Sequence, residues 1–349
     1  MKLFNRLFSI FALLASAVAL TGCNDMIYDD EGDCDFKVKF VYETNLKFTD
    51  AFPAEVFEVT LYVIDPQTGQ IIWTGYDSSE NLKSKDYTMT VPVPRGTYNL
   101  VAWCGRGHRT SFTVAGGQQA THHTDLSCKL TDRVTKTHID GRDLAHSETA
   151  LGSLFHGKED KVAFKERRDP IVVHLTKDTN DIHILLQHLS GENIDPDDFR
   201  FAIETENGYM DWDNSLLPDE SLVYRPHSVV AGTAGVEIPN YSGAREITSV
   251  STAVAHFTVG RIMEDRARDF WLNIYNKDGE RIVHVPFIDY ALLVRGYHTR
   301  PDGSTLEPQD YLDYQDDYPM TFFLDENGRW MNAYIYIESW RVILQGSEL

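Results

Sequence analysis

The sequence predicts an all-β protein built from two antiparallel β-sandwich domains, with few short helices. Apolar and polar residues alternate with a period of two in many short segments, as in strands that bury one face. Clusters of Pro, Gly, Asn and Asp separate these segments and supply turns. Residues 287–298 have the one persuasive helix pattern of the second half, and the scarcity of helices favours antiparallel sandwiches.

The amino terminus has the pattern of a bacterial lipoprotein signal. Two basic residues precede an apolar stretch of about 14 residues, which is shorter than the roughly 20 needed to span a bilayer. The sequence Leu20-Thr21-Gly22-Cys23 follows, with small residues that admit a signal peptidase and a thiol that accepts a diacylglyceryl group. We therefore predict that residues 1–22 are a signal peptide and that Cys23 is lipidated. An ordinary secretory signal that ends near a cysteine is the alternative.

The mature chain is predicted to be strongly acidic. Residues 23–34 are rich in Asp and lack a helix or strand pattern, which favours a solvated acidic tether. The chain has 32 Lys and Arg against 53 Asp and Glu, and removal of the signal leaves 30 against 53, a net charge of −23. Such a surface repels phosphate backbones and anionic lipid heads. Nucleic acid is therefore excluded as a partner, and membrane attachment is expected through lipid rather than charge.

The first domain is predicted to span residues 35–157 and to consist of hairpins. Its predicted strands are residues 36–42, 59–63, 88–93, 97–103, 111–114 and 126–130. Asp65-Pro66-Gln67-Thr68-Gly69 is predicted to close a first hairpin, and Pro94-Arg95-Gly96 a second between strands 88–93 and 97–103. The last two strands are expected to complete a meander.

The second domain is predicted to span residues 158–349, because the alternation lapses between residues 140 and 161. Residues 151–157 are predicted to form at best one helical turn. The predicted strands of this domain are residues 171–175, 182–186, 199–203, 253–259, 270–274, 281–285, 320–324 and one long strand from 333 to 344. The predicted helix at 287–298 lies among them.

Three cysteines remain besides the predicted lipid acceptor, namely Cys34, Cys104 and Cys128. They allow one disulfide at most, and the three pairings cannot be separated by sequence. Cys104 and Cys128 are close enough along the chain to bridge neighbouring strands. No pair has the C-x-x-C spacing of a redox motif or zinc site, which excludes that kind of site.

Histidines and clustered carboxylates are predicted to have structural roles. The histidines assigned to loops or to opposite strand faces are His108, His122, His123, His183 and His188. Carboxylates at residues 195–198, 211–214 and 316–317 lack the spacing of a calcium loop and are interpreted as turn and capping residues. No G-x-S-x-G, phosphate loop or dinucleotide fingerprint occurs. We therefore predict no enzymatic activity, no cofactor and no metal site.

Several blocks of sequence follow one another in a characteristic order. They are the Cys23 motif with Ile27-Tyr28-Asp29-Asp30 and Asp33-Cys34, then residues 40–45, 50–52, 61–65, 96–103, 175–182, 310–313, 321–324 and 335–340. In this order the chain resembles the FimB-type fimbrial anchor family of Bacteroidetes over nearly its whole mature length. Two positions depart from the family pattern: Glu338 stands where an asparagine is usual, and Tyr314 where an arginine is common.

The resemblance implies two transthyretin-like β-sandwich domains in a lipoprotein at the base of type V fimbriae. Such a protein anchors the fibre to the outer membrane, faces the cell exterior and limits fibre length. The acidic residues after Cys23 are similar to export tags that send lipoproteins of Bacteroidetes to the outer face of the outer membrane. A fimbrial subunit is the implied protein partner, so attachment rather than catalysis is the predicted function.

The predicted mode of attachment is strand complementation, in which one subunit adds an extended segment to a sheet edge of another. The apolar, aromatic and β-branched run at residues 333–344 is favoured as an ordinary central strand of the second domain, and it is also the candidate docking segment. A second function, a surface glycan-binding lipoprotein of a polysaccharide-uptake system, would use tryptophans as a stacking platform. The tryptophans are Trp73, Trp103, Trp212, Trp271, Trp330 and Trp340. A row of exposed tryptophans would favour this second function.

Overall fold

The computed structural model describes residues 35–105, 111–139, 142–165, 169–188, 190–239, 245–331 and 334–343. The predicted signal, the predicted lipid acceptor Cys23 and the acidic tether that ends at Cys34 lie outside the described residues. The predicted all-β class is confirmed by the abundance of strands in the described residues.

The described residues form 22 strands and three short α-helices. The strands are β1 (Asp35–Val41), β2 (Glu58–Ile64), β3 (Ile71–Asp77), β4 (Met89–Pro92), β5 (Gly96–Gly105), β6 (Phe112–Val114), β7 (Cys128–Leu130), β8 (Val134–Ile139), β9 (Arg142–Ser147), β10 (Leu154–Phe164), β11 (Ile171–Lys177), β12 (Asn180–His188), β13 (Arg200–Thr205), β14 (Tyr209–Met210), β15 (Leu222–Tyr224), β16 (Ser228–Pro239), β17 (Arg245–Val259), β18 (Trp271–Tyr275), β19 (Arg281–Pro286), β20 (Asp317–Leu324), β21 (Tyr334–Ile337) and β22 (Trp340–Ile343). The α-helices are α1 (Phe52–Glu55), α2 (Phe287–Leu292) and α3 (Pro308–Tyr314). Short 3-10 helices occupy Glu80–Lys83, Gly117–Gln119, His123–Asp125, Pro196–Asp198, Glu264–Asp269 and Arg295–Tyr297.

Sheet I contains seven strands in the order β3-β2-β5-β10-β11-β1-β4. β1 pairs in parallel with β11 and antiparallel with β4. The alternating residues Phe36, Val38 and Phe40 of β1 lie on one face and are fully buried, as the period of a strand requires. They share a core with Phe52 of α1 and with inward-facing residues of β2 and β5.

The strand pairing in sheet I confirms one predicted hairpin and corrects two other predictions. β2 and β3 form the first predicted hairpin. The second hairpin is wrong, because β4 pairs with β1 while β5 lies between β2 and β10. The predicted meander is also wrong, because β6 and β7 form a separate three-stranded sheet with β14, called sheet IV. Alternation of apolar and polar residues identifies a strand in the sequence. Which strand it pairs with depends on the buried surface against which its apolar face packs.

The sheets do not change at the predicted domain boundary. Residues 157 and 158 both lie inside β10, which extends across sheet I, and β11 belongs to the same sheet. The helical turn predicted at residues 151–157 is therefore wrong from Leu154 onward, where β10 begins. β8 and β9, which precede that boundary, join a sheet formed mainly by later strands. The chain passes from sheet I to sheet II after Lys177, and the division into domains stays a prediction.

Sheets II and III each contain six strands and share the larger core. Sheet II has the order β16-β17-β12-β20-β21-β22, and sheet III has the order β19-β18-β13-β15-β9-β8. Their shared core includes Ile184 and Phe257 from sheet II and Phe201 and Leu272 from sheet III, all of which are fully buried. β12 is the first strand of sheet II after the chain leaves sheet I. It lies inside sheet II, where it pairs antiparallel with β17 and parallel with β20.

Short helices and one tight turn complete the second half of the fold. The helix predicted at residues 287–298 is confirmed as α2 followed by a 3-10 turn, whereas α3 was not predicted. The long strand predicted at residues 333–344 is wrong, because Glu338 and Ser339 form a turn between β21 and β22. Glu338 has a φ of +54°, which a continuous strand does not allow. Within the described residues, no helix is both long enough and apolar enough to cross a bilayer.

Candidate functional site

The outer strand of sheet II, β22, presents an exposed aromatic pair beside an edge. β22 pairs with β21 and lies at the end of the sheet order. Trp340 is opposite the buried Ile337, and directly opposed residues share a sheet face, so Trp340 extends the core-side face to the edge. Its ring stacks on Tyr297 at 3.9 Å and 7°. The side chains of Trp340 and Tyr297 are 41% and 57% exposed.

The carboxylate of Glu338 fixes the turn that orients β22. Tyr311 and Gln315, at the end of α3, donate hydrogen bonds to Glu338 Oε1 at 3.0 Å each. His298 Nε2 lies 3.0 Å from Glu338 Oε2. These three contacts hold the hairpin against α3 and offset the cost of a left-handed backbone at a non-glycine residue. Glu338 departs from the family pattern, and in the structure its carboxylate fixes the turn between β21 and β22.

A buried ionic cluster lies where the chain passes from sheet I to sheet II. Asp178 lies in the link between β11 and β12, and Arg261 Nη1 donates to its Oδ1 at 2.8 Å. Arg261 Nη2 lies 3.0 Å from Asp313 Oδ1, and Asn214 donates to Asp178 at 2.9 Å. Burial raises the pKa of Asp178 to about 6, and the Arg261 guanidinium opposes that rise. The cluster holds together the link, α3 and the loop after β17.

His156 is a buried neutral histidine in sheet I. It is 4% exposed, its ring lies 4.6 Å from that of Trp103, and Nε2 lies 2.9 Å from the backbone oxygen of Trp212. Burial lowers the pKa of His156 to about 3. The unfolded chain therefore binds a proton below about pH 6.5 that the folded chain does not. Stability should fall as the pH falls from about 6.5 towards 3.

Replacement of His156 with glutamine is expected to remove this acid sensitivity while keeping an N–H donor. One pKa unit corresponds to about 1.4 kcal/mol, so the wild type should lose about 2 kcal/mol more than His156→Gln between pH 7 and pH 5. Urea unfolding of both proteins across this range measures the difference, with pH 8 as the reference at which histidine is neutral in both states. Parallel stability curves from pH 8 to pH 5 would contradict the assignment.

The structure places most of the other predicted polar residues in turns and caps. His122 accepts the backbone N–H of Thr124, and Asp195 accepts that of Asp197, each at the start of a 3-10 turn. His108 lies outside the described residues. Among the residues that the structure describes, no three His, Cys, Asp or Glu side chains are arranged to hold a metal ion. The sequence did not reveal that His183 meets His256, because that contact depends on the register between β12 and β17.

The two described cysteines are free thiols in different cores. Cys104 belongs to the core of sheet I, whereas Cys128 belongs to the larger core of sheets II and III. Burial raises the pKa of both thiols. The bridge between neighbouring strands considered from sequence is therefore not formed. Pairings that involve Cys34 lie outside the described residues.

The described tryptophans do not form an exposed row. Trp340 is exposed, Trp103 is buried, and the other four, Trp73, Trp212, Trp271 and Trp330, are of intermediate exposure. A stacking platform for a glycan chain needs several accessible rings along one surface. The described residues therefore give no specific support to the glycan-binding alternative.

A sequence comparison identifies the family. The family model described as "Fimbrillin-A associated anchor proteins Mfa1 and Mfa2" matches residues 30–346. The chain belongs to this family. It is a family of fimbrial anchor proteins rather than of enzymes, and membership implies association with the cell surface.

Individual relatives agree with this family. The minor fimbrium anchoring subunit Mfa2 of Porphyromonas gingivalis is 21% identical over 227 residues, which cover 64% of this chain and 67% of Mfa2. A candidate adhesin from Bacteroides thetaiotaomicron has a similar structure, with a TM-score of 0.75, 26% identity and coverage of 90% of this chain and 100% of the other. The solved structure of the fimbrial anchor protein Mfa2 from Porphyromonas gingivalis has a TM-score of 0.59 at 17% identity, and the match covers 88% of this chain and 98% of the solved chain. This last likeness shows a shared fold.

Proposed function

We propose that this chain is a cell-surface lipoprotein that anchors a type V fimbria to the outer membrane and limits its length. The family match over residues 30–346 is the observation that carries the proposal. Lipid on Cys23 supplies the membrane attachment, because several acyl chains hold a protein that a single chain would hold only marginally. β1 begins at Asp35, twelve residues after Cys23. A chain of that length reaches about 40 Å when fully extended, so the folded body stays close to the membrane.

The fimbrial subunit docks on the outer edge of β22 by strand complementation. An added strand would continue sheet II and place alternate side chains against Trp340 and Val342, which share one face of β22. Val342 already packs against the core, whereas Trp340 keeps accessible apolar surface. Main-chain hydrogen bonds to the edge supply affinity and the aromatic ring sets register. The strand of the terminal fimbrial subunit is then held by the anchor and is no longer available to another subunit. Growth of the fibre stops there, which limits its length.

Replacement of Trp340 with alanine is expected to weaken binding of the fimbrial subunit by at least about 30-fold. Truncation of a central aromatic anchor at an interface typically costs about 2 kcal/mol or more. Purified anchor and fimbriae sheared from the same cells provide the binding measurement. Trp271→Ala is the matched control, because Trp271 stacks on His284 at 4.3 Å on sheet III, away from β22.

Thermal unfolding of both variants separates lost docking from lost folding. Equal binding by Trp340→Ala and wild type would contradict the proposed edge. β16, the other outer strand of sheet II, exposes Val230. Weaker binding of the fimbrial subunit by Val230→Ala, together with unchanged binding by Trp340→Ala, would indicate docking on β16 instead.

A further inference from the structure

Two histidines face each other across neighbouring strands on the outer face of sheet II. His183 of β12 and His256 of β17 are directly opposed in the antiparallel register. Their Nδ1 atoms are 2.6 Å apart. Both side chains are partly exposed, since their sheet neighbours Ile182, Ile184 and Phe257 point into the core on the other face. A dissolved cation can therefore reach both rings.

A carboxylate orients one of these rings. His183 Nε2 lies 3.2 Å from Asp317 Oδ1, where β20 begins. A neutral His183 that donates Nε2–H to Asp317 has its lone pair at Nδ1, the atom that faces His256. Ligating histidines in metalloproteins are almost always oriented in this way, with the second ring nitrogen donating to a carboxylate or carbonyl. The pair therefore has both the ligand atoms and the orienting group of a histidine metal site.

The two facing Nδ1 atoms lie at hydrogen-bond distance, closer together than two ligands of one metal ion. Two nitrogens at 2.6 Å form a hydrogen bond only if one of them carries hydrogen. Two nitrogens bound to one tetrahedral Zn²⁺ lie about 3.3 Å apart, because Zn–N bonds are about 2.0–2.1 Å long. The two rings must therefore rotate away from each other for the ion to replace their hydrogen bond. Imidazole is a preferred ligand of Zn²⁺, and the strongly acidic chain attracts cations.

We propose that His183 and His256 form a two-histidine binding site for Zn²⁺, with Asp317 as its orienting carboxylate. Water completes the coordination, since no third ligand is arranged with the pair in the described part of the chain. A bound ion would cross-link β12 to β17, two neighbouring strands of sheet II. His227, whose ring centroid lies 6.3 Å from that of His256, stands beside the site and is not assigned as a ligand.

Titration of untagged protein with ZnCl₂ by calorimetry tests the proposal. The wild type is expected to bind one Zn²⁺ that is lost in both His183→Ala and His256→Ala. Asp317→Asn should weaken binding about tenfold or more, as loss of an orienting partner does in other sites. His284→Ala is the control, because His284 faces Asn273 on sheet III. It should bind Zn²⁺ like the wild type.

Electron paramagnetic resonance of the Cu²⁺-loaded protein provides a second measurement that does not depend on stability. Two coordinated imidazole nitrogens are expected in the wild type and at most one in His256→Gln. Circular dichroism identifies any variant that fails to fold. Unchanged Zn²⁺ stoichiometry in both alanine variants, or equal binding of Mg²⁺, would overturn the proposal.

Discussion

Replacement of Cys23 with alanine is expected to release the protein from the membrane fraction and to shed fimbriae into the medium. Each buried methylene of an acyl chain contributes about 0.8 kcal/mol to membrane binding, and a lipoprotein head carries two or three such chains. Without the thiol that accepts them, an acidic chain has no electrostatic attraction to an anionic membrane. The loss should therefore be nearly complete rather than partial.

Fractionation of cells followed by immunodetection of anchor and fimbriae measures this release. Cys34→Ala is the matched control, because it removes a thiol from the same segment without touching the predicted lipid acceptor. It should leave both proteins with the membrane. Fimbriae that remain attached at normal length in Cys23→Ala cells would contradict lipid anchoring through this residue.

Replacement of Arg261 with methionine is expected to destabilise the folded protein by about 3–5 kcal/mol, the usual cost of leaving a buried charge without its partner. Asp178 is fully buried, and Asn214 would be its remaining side-chain hydrogen-bond partner among the residues that the structure describes. Asp313, which is about 20% exposed, would keep Gln309. The free energy of unfolding from urea titration at pH 7 measures the effect.

A double variant distinguishes the buried charge from lost packing. Arg261→Met combined with Asp178→Asn removes both charges and should recover part of the stability, because a neutral amide costs less to bury than a carboxylate. Arg142→Ala is the control for a surface pair: Arg142 lies 2.7 Å from Glu204, is 54% exposed, and should cost at most about 1 kcal/mol. A cost for Arg261→Met no larger than for this control would refute the role of the cluster.

Strand positions were predictable because each depends on a local pattern. Phe36, Val38 and Phe40 alternate along β1, and the turn after Ile64 contains a glycine, Gly69, with a φ of +75° that glycine adopts without strain. Pairing was less predictable. β4 follows the expected pattern, yet Met89 and Val91 pack with residues of β1 rather than closing a hairpin onto β5.

The candidate docking site was likewise predictable in its position along the chain but not in its tertiary contacts. The apolar, aromatic and β-branched composition of residues 333–344 favoured an ordinary central strand and also made the run a candidate docking segment. It could not show that Glu338 turns the chain there, because the turn is fixed by Tyr311, Gln315 and His298, which lie far away in the sequence. It also could not bring His183 and His256 together, since one residue of register slip would put them on opposite faces.

The sequence by itself determined the β class, the resemblance to fimbrial anchors, the acidic charge and the expected lipid acceptor Cys23. These properties follow from residue identity and short-range spacing, which need no knowledge of the folded chain. The tertiary structure alone decided which strands pair, where the sheets change, and which polar groups meet across them. The physical reason is that burial and hydrogen-bond pairing depend on surfaces contributed by distant parts of the chain. Asp178 and Arg261 are 83 positions apart, and only the packing of the two halves makes them partners.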